Sequence, residues 1–364
     1  MIEQLFFILI IIYTLQSIIY FLGIKKKFPR IPYEDFPTAT IIVAARNEEN
    51  NILRTLHSLD KLKYPEGKLE IIIVDDNSTD LTGHLINEFI KDKPIFKKIS
   101  TSGQKKYNLV GKTNALAIAL DVAKGEVILT TDADIIVKPS WAMTIASHYH
   151  KSVAIVNGFT SQEPSSLWGG IQAIDFMYLQ TVASSTINLG LPVSCIGNNM
   201  SFLKKAYEEV GGYENLPFSV TEDLNLMMAI HSLKKYKIIY PLNTDAMNLS
   251  LPCPDLLSLI RQKKRWGKGG LQVFWRGSFV FFVGYLSNFF ILLTPFFYSP
   301  IWLFLLISKL LMDILILWPT HKEFSIKKNL KYFLFFEIYF IIYVLILPFI
   351  VLPSRKTLWK GRKY

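Results

Sequence analysis

"GEVILTTDAD", residues 125–134, has the pattern of a buried strand that ends in acids, because its apolar residues lead through two threonines to Asp132 and Asp134. A second stretch, "LEIIIVDDNSTD" (69–80), has the same form. Apolar and β-branched runs of this length predict strands that are buried on both faces. The carboxylates that follow both strands are the first indication of a binding site.

Helical patterns alternate with these strands. The run "TIIVAA" (40–45) precedes apolar residues at helical spacing, Ile52, Leu56 and Leu59, and a second helix is expected to begin at about Leu81. Strands that alternate with helices predict an α/β fold with a mostly parallel sheet and helices on both of its faces.

The acids are expected to meet at one edge of this sheet. Ligands of open parallel sheets bind outside the carboxyl ends of the strands, where loops and helix N-termini converge. Asp75, Asp76, Asp132 and Asp134 all follow predicted strands, so we expect them to line one cleft. The strand signal is weaker from 141 to 240, a region that is expected to complete the domain with helices and a short sheet.

Apolar segments at both ends of the chain predict a membrane protein. The chain has 364 residues and is 51% hydrophobic. Residues 5–24 carry no charge and are long enough to cross a bilayer. Because Glu3 precedes this segment and basic residues follow it, we expect a retained anchor with a cytoplasmic C-terminal flank and not a cleaved signal peptide. Three further blocks have the composition of membrane helices: 279–297, 301–318 and 332–352.

Four segments are expected along the chain. They are an N-terminal transmembrane anchor with its basic flank (1–35), a cytoplasmic α/β domain (36–250), an interfacial amphipathic segment (251–275) and a C-terminal membrane region of about three helices (276–364). We expect the protein to be integral to the cell inner or plasma membrane. The location of the tail "SRKTLWKGRKY" stays open, because three spans would place it outside whereas its positive charge favours the inside.

The formal net charge of +11 does not by itself indicate nucleic acid. Basic residues beside membrane helices attract anionic lipid headgroups, and they account for much of the excess. We therefore expect a membrane partner and no nucleic-acid partner. Cys195 and Cys253 fit no metal-ligand spacing and indicate a reducing compartment or buried thiols.

Asp132 and Asp134 can jointly hold a hard divalent cation, whose other positions go to water and phosphate oxygens. A helix cap with a solvated neighbour is the ordinary alternative for an isolated pair of this kind. Asp75 and Asp76 favour the metal site over the helix cap. The polar loop "NSTD" that follows them offers hydrogen-bonding groups for a base or a ribose.

Two more motifs are compatible with phosphate chemistry. Lys112 begins a predicted helix, where it either contributes positive charge to a bound phosphate or is a solvated surface group. Glu222 and Asp223 begin another predicted helix, where they either complement the helix dipole or supply a general base that takes a proton from an attacking hydroxyl.

The stretch "RQKKRWGKGG" contains Gln262, Arg265 and Trp266. It predicts a basic amphipathic helix that lies on the bilayer with its tryptophan at the headgroup level. The guanidinium can also stabilise a departing diphosphate, and the indole can stack on a sugar or a base.

Taken in order, these motifs resemble those of the family 2 inverting glycosyltransferases, which have a GT-A fold. The matching stretches are "VAARNEENNI", "IIIVDDNSTD", "GKTNALAIAL", "TTDAD", "GGYENL", "TED" and "QKKRW". Together with the flanking apolar helices, the Q-x-x-R-W element is similar to the membrane-embedded branch that includes cellulose, chitin and hyaluronan synthases and ceramide glucosyltransferase.

The resemblance implies a role for each acid. Asp75 and Asp76 would contact the uracil and ribose of a UDP-sugar. Asp132 and Asp134 would hold Mg²⁺ or Mn²⁺ on its diphosphate. Asp223, the last acid of "TED", would be the base, with Glu222 beside it in the catalytic pair.

The remaining motifs receive roles from the same resemblance. Gln262, Arg265 and Trp266 would clamp the pyrophosphate and border the acceptor site, and Lys112 would join the donor-binding set. Asn198 and Asn199, in "CIGNNMSF", would line the sugar pocket. The terminal "WKGRKY" resembles the tails of related lipid glycosyltransferases, which favours a cytoplasmic tail.

The sequence therefore predicts a membrane-bound, metal-dependent inverting glycosyltransferase. It would move a sugar from a nucleotide-sugar to a lipid, lipid-linked or saccharide hydroxyl at the cytoplasmic face. Four apolar helices favour a single transfer over extrusion of a polymer, but a processive polysaccharide synthase stays open. A nucleotidyltransferase would be expected to carry a glycine-rich loop after the first strand, and a non-enzymatic sugar-nucleotide scaffold would lack the acids. The sugar, the acceptor and the oligomeric state are not predicted.

Overall fold

The computed structural model describes residues 2–106, 108–271, 275–297, 299–353, 358–359 and 362–363. It divides into two compact units. One contains residues 1–26, 162–194 and 252–357, and it is called the apolar unit below. The other contains residues 27–161, 195–251 and 358–364, and it is called the sheet unit.

Seven strands form the main sheet of the sheet unit, and two short pairs complete the strand set. The strands are β1 Ala39–Ala45, β2 Leu69–Asp75, β3 Phe96–Ser100, β4 Val127–Asp132, β5 Val153–Asn157, β6 Thr160–Gln162, β7 Met200–Leu203, β8 Lys237–Ile239, β9 Asn248–Ser250, β10 Leu358–Trp359 and β11 Arg362–Lys363. The main sheet has the order β3-β2-β1-β4-β7-β5-β8, while β6 pairs with β9 and β10 with β11. Strands β3, β2, β1 and β4 are mutually parallel, and β7 is antiparallel to both of its neighbours.

Twelve α-helices are found among the described residues. They are α1 Ile2–Ile24, α2 Ile52–Leu59, α3 Thr82–Ile90, α4 Lys112–Val122, α5 Trp141–Ala146, α6 Leu167–Asn188, α7 Lys204–Glu209, α8 Glu222–Ser232, α9 Leu256–Gly270, α10 Trp275–Leu292, α11 Pro300–Glu323 and α12 Phe333–Val351. The predicted α/β class, with a mostly parallel sheet and apolar helices at both ends of the chain, is confirmed.

The core of the sheet unit forms where the sequence pattern predicts it. Ile52, Leu56 and Leu59 of α2 are buried together with the inward residues of β1, β2 and β4. Helix α4 begins directly after Gly111, whose φ of 59° is a conformation that favours glycine. The chain can therefore turn sharply from the preceding loop into the helix that begins at Lys112.

The strand register brings the predicted acids to one edge. Ala45 at the end of β1 is opposite Asp75, and Ala44 is opposite Asp132 on the other side of β1. Because these three strands are parallel and end at the same level, their following loops extend from the same edge of the sheet.

The apolar unit contains four helices that are long and apolar enough to cross a membrane: Ile2–Ile24, Gly277–Phe296, Pro300–Glu323 and Lys327–Val351. Helix α1 packs against α6, α10 and α11, and α12 packs against α6, α9 and α10. The structure thus agrees with the prediction of one apolar helix before the α/β domain and three after it. Residues 354–357, 360, 361 and 364 of the basic tail lie outside the described residues, so its side of the membrane stays a prediction.

Helix α6 is the main difference from the expected organisation. It lies within the segment 36–250 that was expected to form one domain, yet it packs among the apolar helices. Its hydroxyls donate within the helix, as Thr181 does to the Met177 carbonyl at 2.8 Å and Ser185 to the Thr181 carbonyl at 2.7 Å. These internal bonds satisfy polar groups that would otherwise oppose burial.

Candidate active site

One lysine joins two carboxylates that are far apart in the sequence. Lys112 Nζ, at the start of α4, lies 2.7 Å from Asp132 Oδ1 at the end of β4. The same ammonium lies 3.1 Å from Glu222 Oε1 at the start of α8. The predicted phosphate-binding lysine, one of the two predicted metal-binding aspartates and the acidic pair of "TED" thus belong to one cluster, which we call the edge cluster.

The edge cluster keeps its lysine charged. Burial by itself lowers the pKa of Lys112, but the carboxylates of Asp132 and Glu222 outweigh this effect and raise the pKa above its ordinary value. The Asp132 side chain keeps 37% of its surface exposed, so a ligand can approach it from solvent. A fixed positive charge and an accessible carboxylate are what a metal-bound phosphate requires.

Asp132 and Asp134, the predicted metal-binding pair, lie at the carboxyl end of β4. Asp132 ends β4 and Asp134 lies in the turn that follows it, and both are half-buried on either side of the buried Ala133. Thr55 fixes this turn by donating its hydroxyl to the Ala133 carbonyl at 2.8 Å. No group of three or more His, Cys, Asp or Glu side chains that could hold a metal occurs among the described residues. Two carboxylates suit Mg²⁺ or a similar ion that takes its other ligands from phosphate and water.

Asp223 packs against a glycine of the "CIGNN" turn. A Cβ atom added to Gly197 would lie 2.8 Å from Asp223 Oδ2 and 3.1 Å from Asp223 Cγ. The other carboxylate oxygen accepts the Leu224 N–H at 2.8 Å. Thr130 on β4 fixes the same turn by donating to the Gly197 carbonyl at 3.0 Å. The predicted base therefore has a defined position beside β4, and a side chain at Gly197 would displace it.

Two uncharged groups interact with the acidic pair in addition to Lys112. Burial raises the pKa of the Cys195 thiol, and the carboxylates of Asp223 and Glu222 raise it further. Burial followed by the Glu222 carboxylate also raises the pKa of Tyr213, in "GGYENL". Both groups stay protonated at neutral pH, so neither adds a competing anion beside the acids. Cys195 is thus a buried thiol, which was one of the two predicted alternatives, whereas Tyr213 was not identified from the sequence although it lies in the "GGYENL" motif.

Asp75 and Asp76 shape the loop after β2. Asp75 Oδ1 accepts the Ser78 N–H at 3.0 Å, and Lys98 Nζ lies 3.6 Å from its other oxygen. Asp76 Oδ1 accepts the Thr101 hydroxyl at 3.0 Å. Both acids thus have structural partners at the carboxyl edge, and their proposed contacts with uracil and ribose stay predictions.

Arg46 also holds this loop and was not identified from the sequence. Its Nη1 donates to the Asp76 carbonyl at 2.6 Å and to the Asn77 carbonyl at 2.8 Å. Asn77 has a φ of 54°, an uncommon conformation for a residue other than glycine. Arg46 follows the last residue of β1, in "AARNEEN", and a basic residue at the end of a predicted strand could have identified it.

The two asparagines of "CIGNNMSF" have different surroundings. Asn199 is buried and uses its whole amide, since it accepts from Trp141 Nε1 at 2.8 Å and donates to two backbone carbonyls. Asn198 is half-buried and accepts the Thr160 hydroxyl at 2.8 Å. In this structure Asn199 fixes the turn from within, and the sugar-pocket role of both residues stays a prediction.

Gln262, Arg265 and Trp266 lie on α9, in the apolar unit. All three side chains are half-buried, and the Trp266 ring stacks on Phe176 with a centroid distance of 5.6 Å. A helix is present in the predicted segment, and its position at a membrane interface and its contact with a diphosphate stay predictions.

Two sequence families match the chain. The model of Glycosyl transferase family 2 matches residues 40–211, and that of Glycosyl transferase family group 2 matches residues 127–352.

Two curated relatives indicate the range of activities near this sequence. Beta-monoglucosyldiacylglycerol synthase of Nostoc sp. (strain PCC 7120 / SAG 25.82 / UTEX 2576) is 28% identical over 242 residues, which cover 65% of this chain and 49% of the relative. Poly-beta-1,6-N-acetyl-D-glucosamine synthase of Staphylococcus aureus (strain MSSA476) is 30% identical over 278 residues, which cover 74% of this chain and 64% of the relative. The chain thus spans less than two thirds of the length of either relative.

A solved structure supports the fold. It is the mannosyltransferase PcManGT from Pyrobaculum calidifontis in complex with GDP-Man and Mn²⁺, which matches with a TM-score of 0.61 at 17% identity, covering 93% of this chain and 99% of that chain. Similarity at this level concerns the fold alone, and it confirms the expected GT-A type.

Proposed function

Because the chain belongs to Glycosyl transferase family group 2, we propose that it is a glycosyltransferase that moves a sugar from a UDP-sugar to an acceptor hydroxyl. The acceptor is a lipid, a lipid-linked group or a saccharide at the cytoplasmic face of a membrane. The transfer inverts the anomeric centre, so that an α-linked donor gives a β-linked product.

The edge cluster is the observation that carries this proposal. Lys112 holds Asp132 at 2.7 Å and Glu222 at 3.1 Å, and Asp223 follows Glu222 directly in α8. A site that transfers a sugar needs a charged group for the diphosphate and a base for the acceptor within one sugar's length of each other. The cluster supplies both kinds of group.

Asp223 is the proposed base. The acceptor hydroxyl would donate its hydrogen bond to the Asp223 carboxylate and lose its proton to it as the new glycosidic bond forms. Gly197 leaves room for the carboxylate, and the N–H of Leu224 holds one of its oxygens in place. Direct attack of this hydroxyl on the anomeric carbon inverts the centre and requires no covalent enzyme intermediate.

The donor is proposed to bind along the carboxyl edge of the sheet. Asp75 and Asp76 would contact the uracil and ribose, and Asp132 and Asp134 would hold Mg²⁺ or Mn²⁺. When bound, the cation neutralises charge that develops on the departing diphosphate. Gln262, Arg265 and Trp266 would contribute to the same diphosphate from α9, and Asn198 and Asn199 would border the sugar.

Two acceptor types follow from the relatives, one of which is named for a diacylglycerol lipid and the other for a polysaccharide. We propose a single transfer to a lipid or lipid-linked acceptor, by analogy with the relative that is named for a diacylglycerol lipid. Processive synthesis is the second candidate. Product length distinguishes them, because single transfer gives one sugar per acceptor and processive synthesis gives a ladder.

The experiment is a UDP-release assay on detergent-solubilised full-length protein. A panel of UDP-sugars is supplied with lipid extracts, with Mg²⁺ or Mn²⁺ and, in parallel, with excess EDTA. At least one donor is expected to give UDP release that requires both the cation and the acceptor, and NMR of the product is expected to show a β-linkage. Release from no donor, or release unaffected by EDTA, would refute the proposal.

A further inference from the structure

One face of helix α6 contacts the segment that precedes α9. Trp168 Nε1 and Gln172 Nε2 each donate to the Cys253 carbonyl at 3.0 Å, and the Cys253 N–H donates to Gln172 Oε1 at 2.8 Å. Asp175 and Phe176 follow on the same face, because residues at i, i+4, i+7 and i+8 are aligned along a helix. This face therefore fixes the entry to α9 before the Q-x-x-R-W element is reached.

The same face holds α9 itself through a buried ion pair. Lys263 Nζ contacts the carboxylate of Asp175, and both side chains are only 2% exposed. Tyr339 on α12 donates its hydroxyl to Asp175 Oδ2 at 3.2 Å. The Lys263 ammonium also lies 5.0 Å from the ring centroid of Trp266 and 4.7 Å from that of Tyr343. Helices α6, α9 and α12 thus meet around the buried ion pair of Lys263 and Asp175.

The ion pair determines the rotation of α9 about its axis. Lys263 and Arg265 are two residues apart, so they lie on nearly opposite sides of the helix. On the Lys263 side, the Trp266 ring stacks on Phe176 with an interplanar angle of 15°. Any rotation of α9 that moved Arg265 would have to pull Lys263 away from Asp175, which would leave two buried charges without a partner.

We propose that Lys263 and Asp175 are positioning residues for the Q-x-x-R-W element, which they hold in the rotation and register at which Gln262 and Arg265 act on the diphosphate. The proposal rests on the proposed function of Gln262 and Arg265. Buried ion pairs are weak sources of net stability, and setting a register is their best supported use. Misplacement of a charge-stabilising group by about 1 Å lowers turnover by about 100-fold.

The test compares variants of the full-length protein by turnover per folded molecule. Lys263→Met removes the ammonium, Asp175→Asn/Lys263→Met removes both charges, and Asp175→Lys/Lys263→Asp exchanges them. Lys309→Met is the matched control, because Lys309 is also fully buried and ion-paired within the apolar unit but lies on α11. Steady-state UDP release gives kcat and the donor KM, and thermal unfolding gives stability.

A positioning role predicts a specific pattern. Lys263→Met and the doubly neutral variant are expected to lower kcat about 10-fold or more with a much smaller change in donor KM, whereas the exchanged pair recovers most of the loss. Lys309→Met is expected to lose stability but to keep its kcat. If Lys263→Met does not fold, the doubly neutral variant decides, since it leaves no unpaired charge.

Each opposing result has its own meaning. Parental kcat in the doubly neutral variant would overturn the positioning role, and so would an equal loss of kcat in Lys263→Met and Lys309→Met. If the parental protein releases no UDP from any donor, the proposed function itself fails, and this outcome is seen before any variant is made.

Discussion

Two lysines of this protein each lie between two carboxylates, and they differ in their surroundings. Lys112 lies 2.7 Å from Asp132 and 3.1 Å from Glu222, with 16% of its side chain exposed. Lys309 lies 2.6 Å from Asp313 and 2.6 Å from Glu337, and it is completely buried.

The difference in exposure separates a site that can exchange partners from one that cannot. Water reaches Asp132, so a cation or a phosphate can replace an ion pair of the edge cluster at modest free-energy cost. Around Lys309 no solvent is available, and Tyr13 and Tyr178 add hydroxyl donors to Asp313. The edge cluster is therefore suited to ligand exchange, whereas the Lys309 cluster is suited to holding helices together. Substitutions in and beside the two clusters test this distinction.

Asp223→Asn should have the largest effect on catalysis. The amide keeps the size of the side chain but cannot take a proton, so kcat is expected to fall about 100- to 10,000-fold. Donor binding and thermal stability should change little. The contrasting variant is Asp134→Ala, which should weaken donor binding itself. UDP release and donor titration measure both, and transfer at the parental rate by Asp223→Asn would exclude it as the base.

Lys309→Met should have the largest effect on stability. It leaves Asp313 and Glu337 buried without their cation, and loss of one partner from such a pair lowers the free energy of unfolding by about 3–5 kcal/mol. Thermal unfolding in detergent measures this loss. A melting temperature equal to that of the parent would show that the Lys309 cluster does not hold the helices.

Lys112→Met tests the edge cluster, which is the more exposed of the two clusters. Its loss should reduce stability less than Lys309→Met does, because Asp132 keeps 37% of its side chain exposed and remains solvated. The loss of a charged hydrogen bond to phosphate should lower kcat/KM for the donor about 10-fold or more. Lys112→Arg should retain part of the activity. A stability loss as large as that of Lys309→Met would abolish the distinction between the two clusters.

Gly197→Ala should have the smallest effect. The added Cβ would lie 2.8 Å from Asp223 Oδ2, so the carboxylate must shift, and kcat is expected to fall about 5- to 10-fold without a change in donor KM. The effect should disappear in an Asp223→Asn background, because the two substitutions act through one side chain. Additive losses in the double variant would indicate that Gly197 acts independently.

The ends of two strands and the starts of two helices in the sheet unit could be predicted from the sequence. Apolar runs placed Asp75 and Asp132 at strand ends, and the capping and periodicity signals placed Lys112 and Glu222 at helix starts. Each of these signals is local, because it depends on neighbours within a few residues.

The pairings between distant residues could not be predicted. The contact of Lys112 with Glu222 depends on how α8 packs beside the sheet, which no local pattern encodes. The position of α6 was missed for a related reason, because its many polar residues lower its hydropathy. They are compatible with burial because they bond within the helix, as Thr181 and Ser185 do, or to other segments, as Gln172 does to Cys253.

Because α6 belongs to the apolar unit, the α/β domain is discontinuous in sequence and cannot be produced as one continuous fragment. A fragment that begins at residue 27 and stops at 251 would still contain α6 but would lack α1, α11 and α12, its packing partners. Ile174 and Tyr178, which are buried in the full chain, would then face water and promote aggregation. Excising the helix instead would require a designed linker between residues 161 and 195.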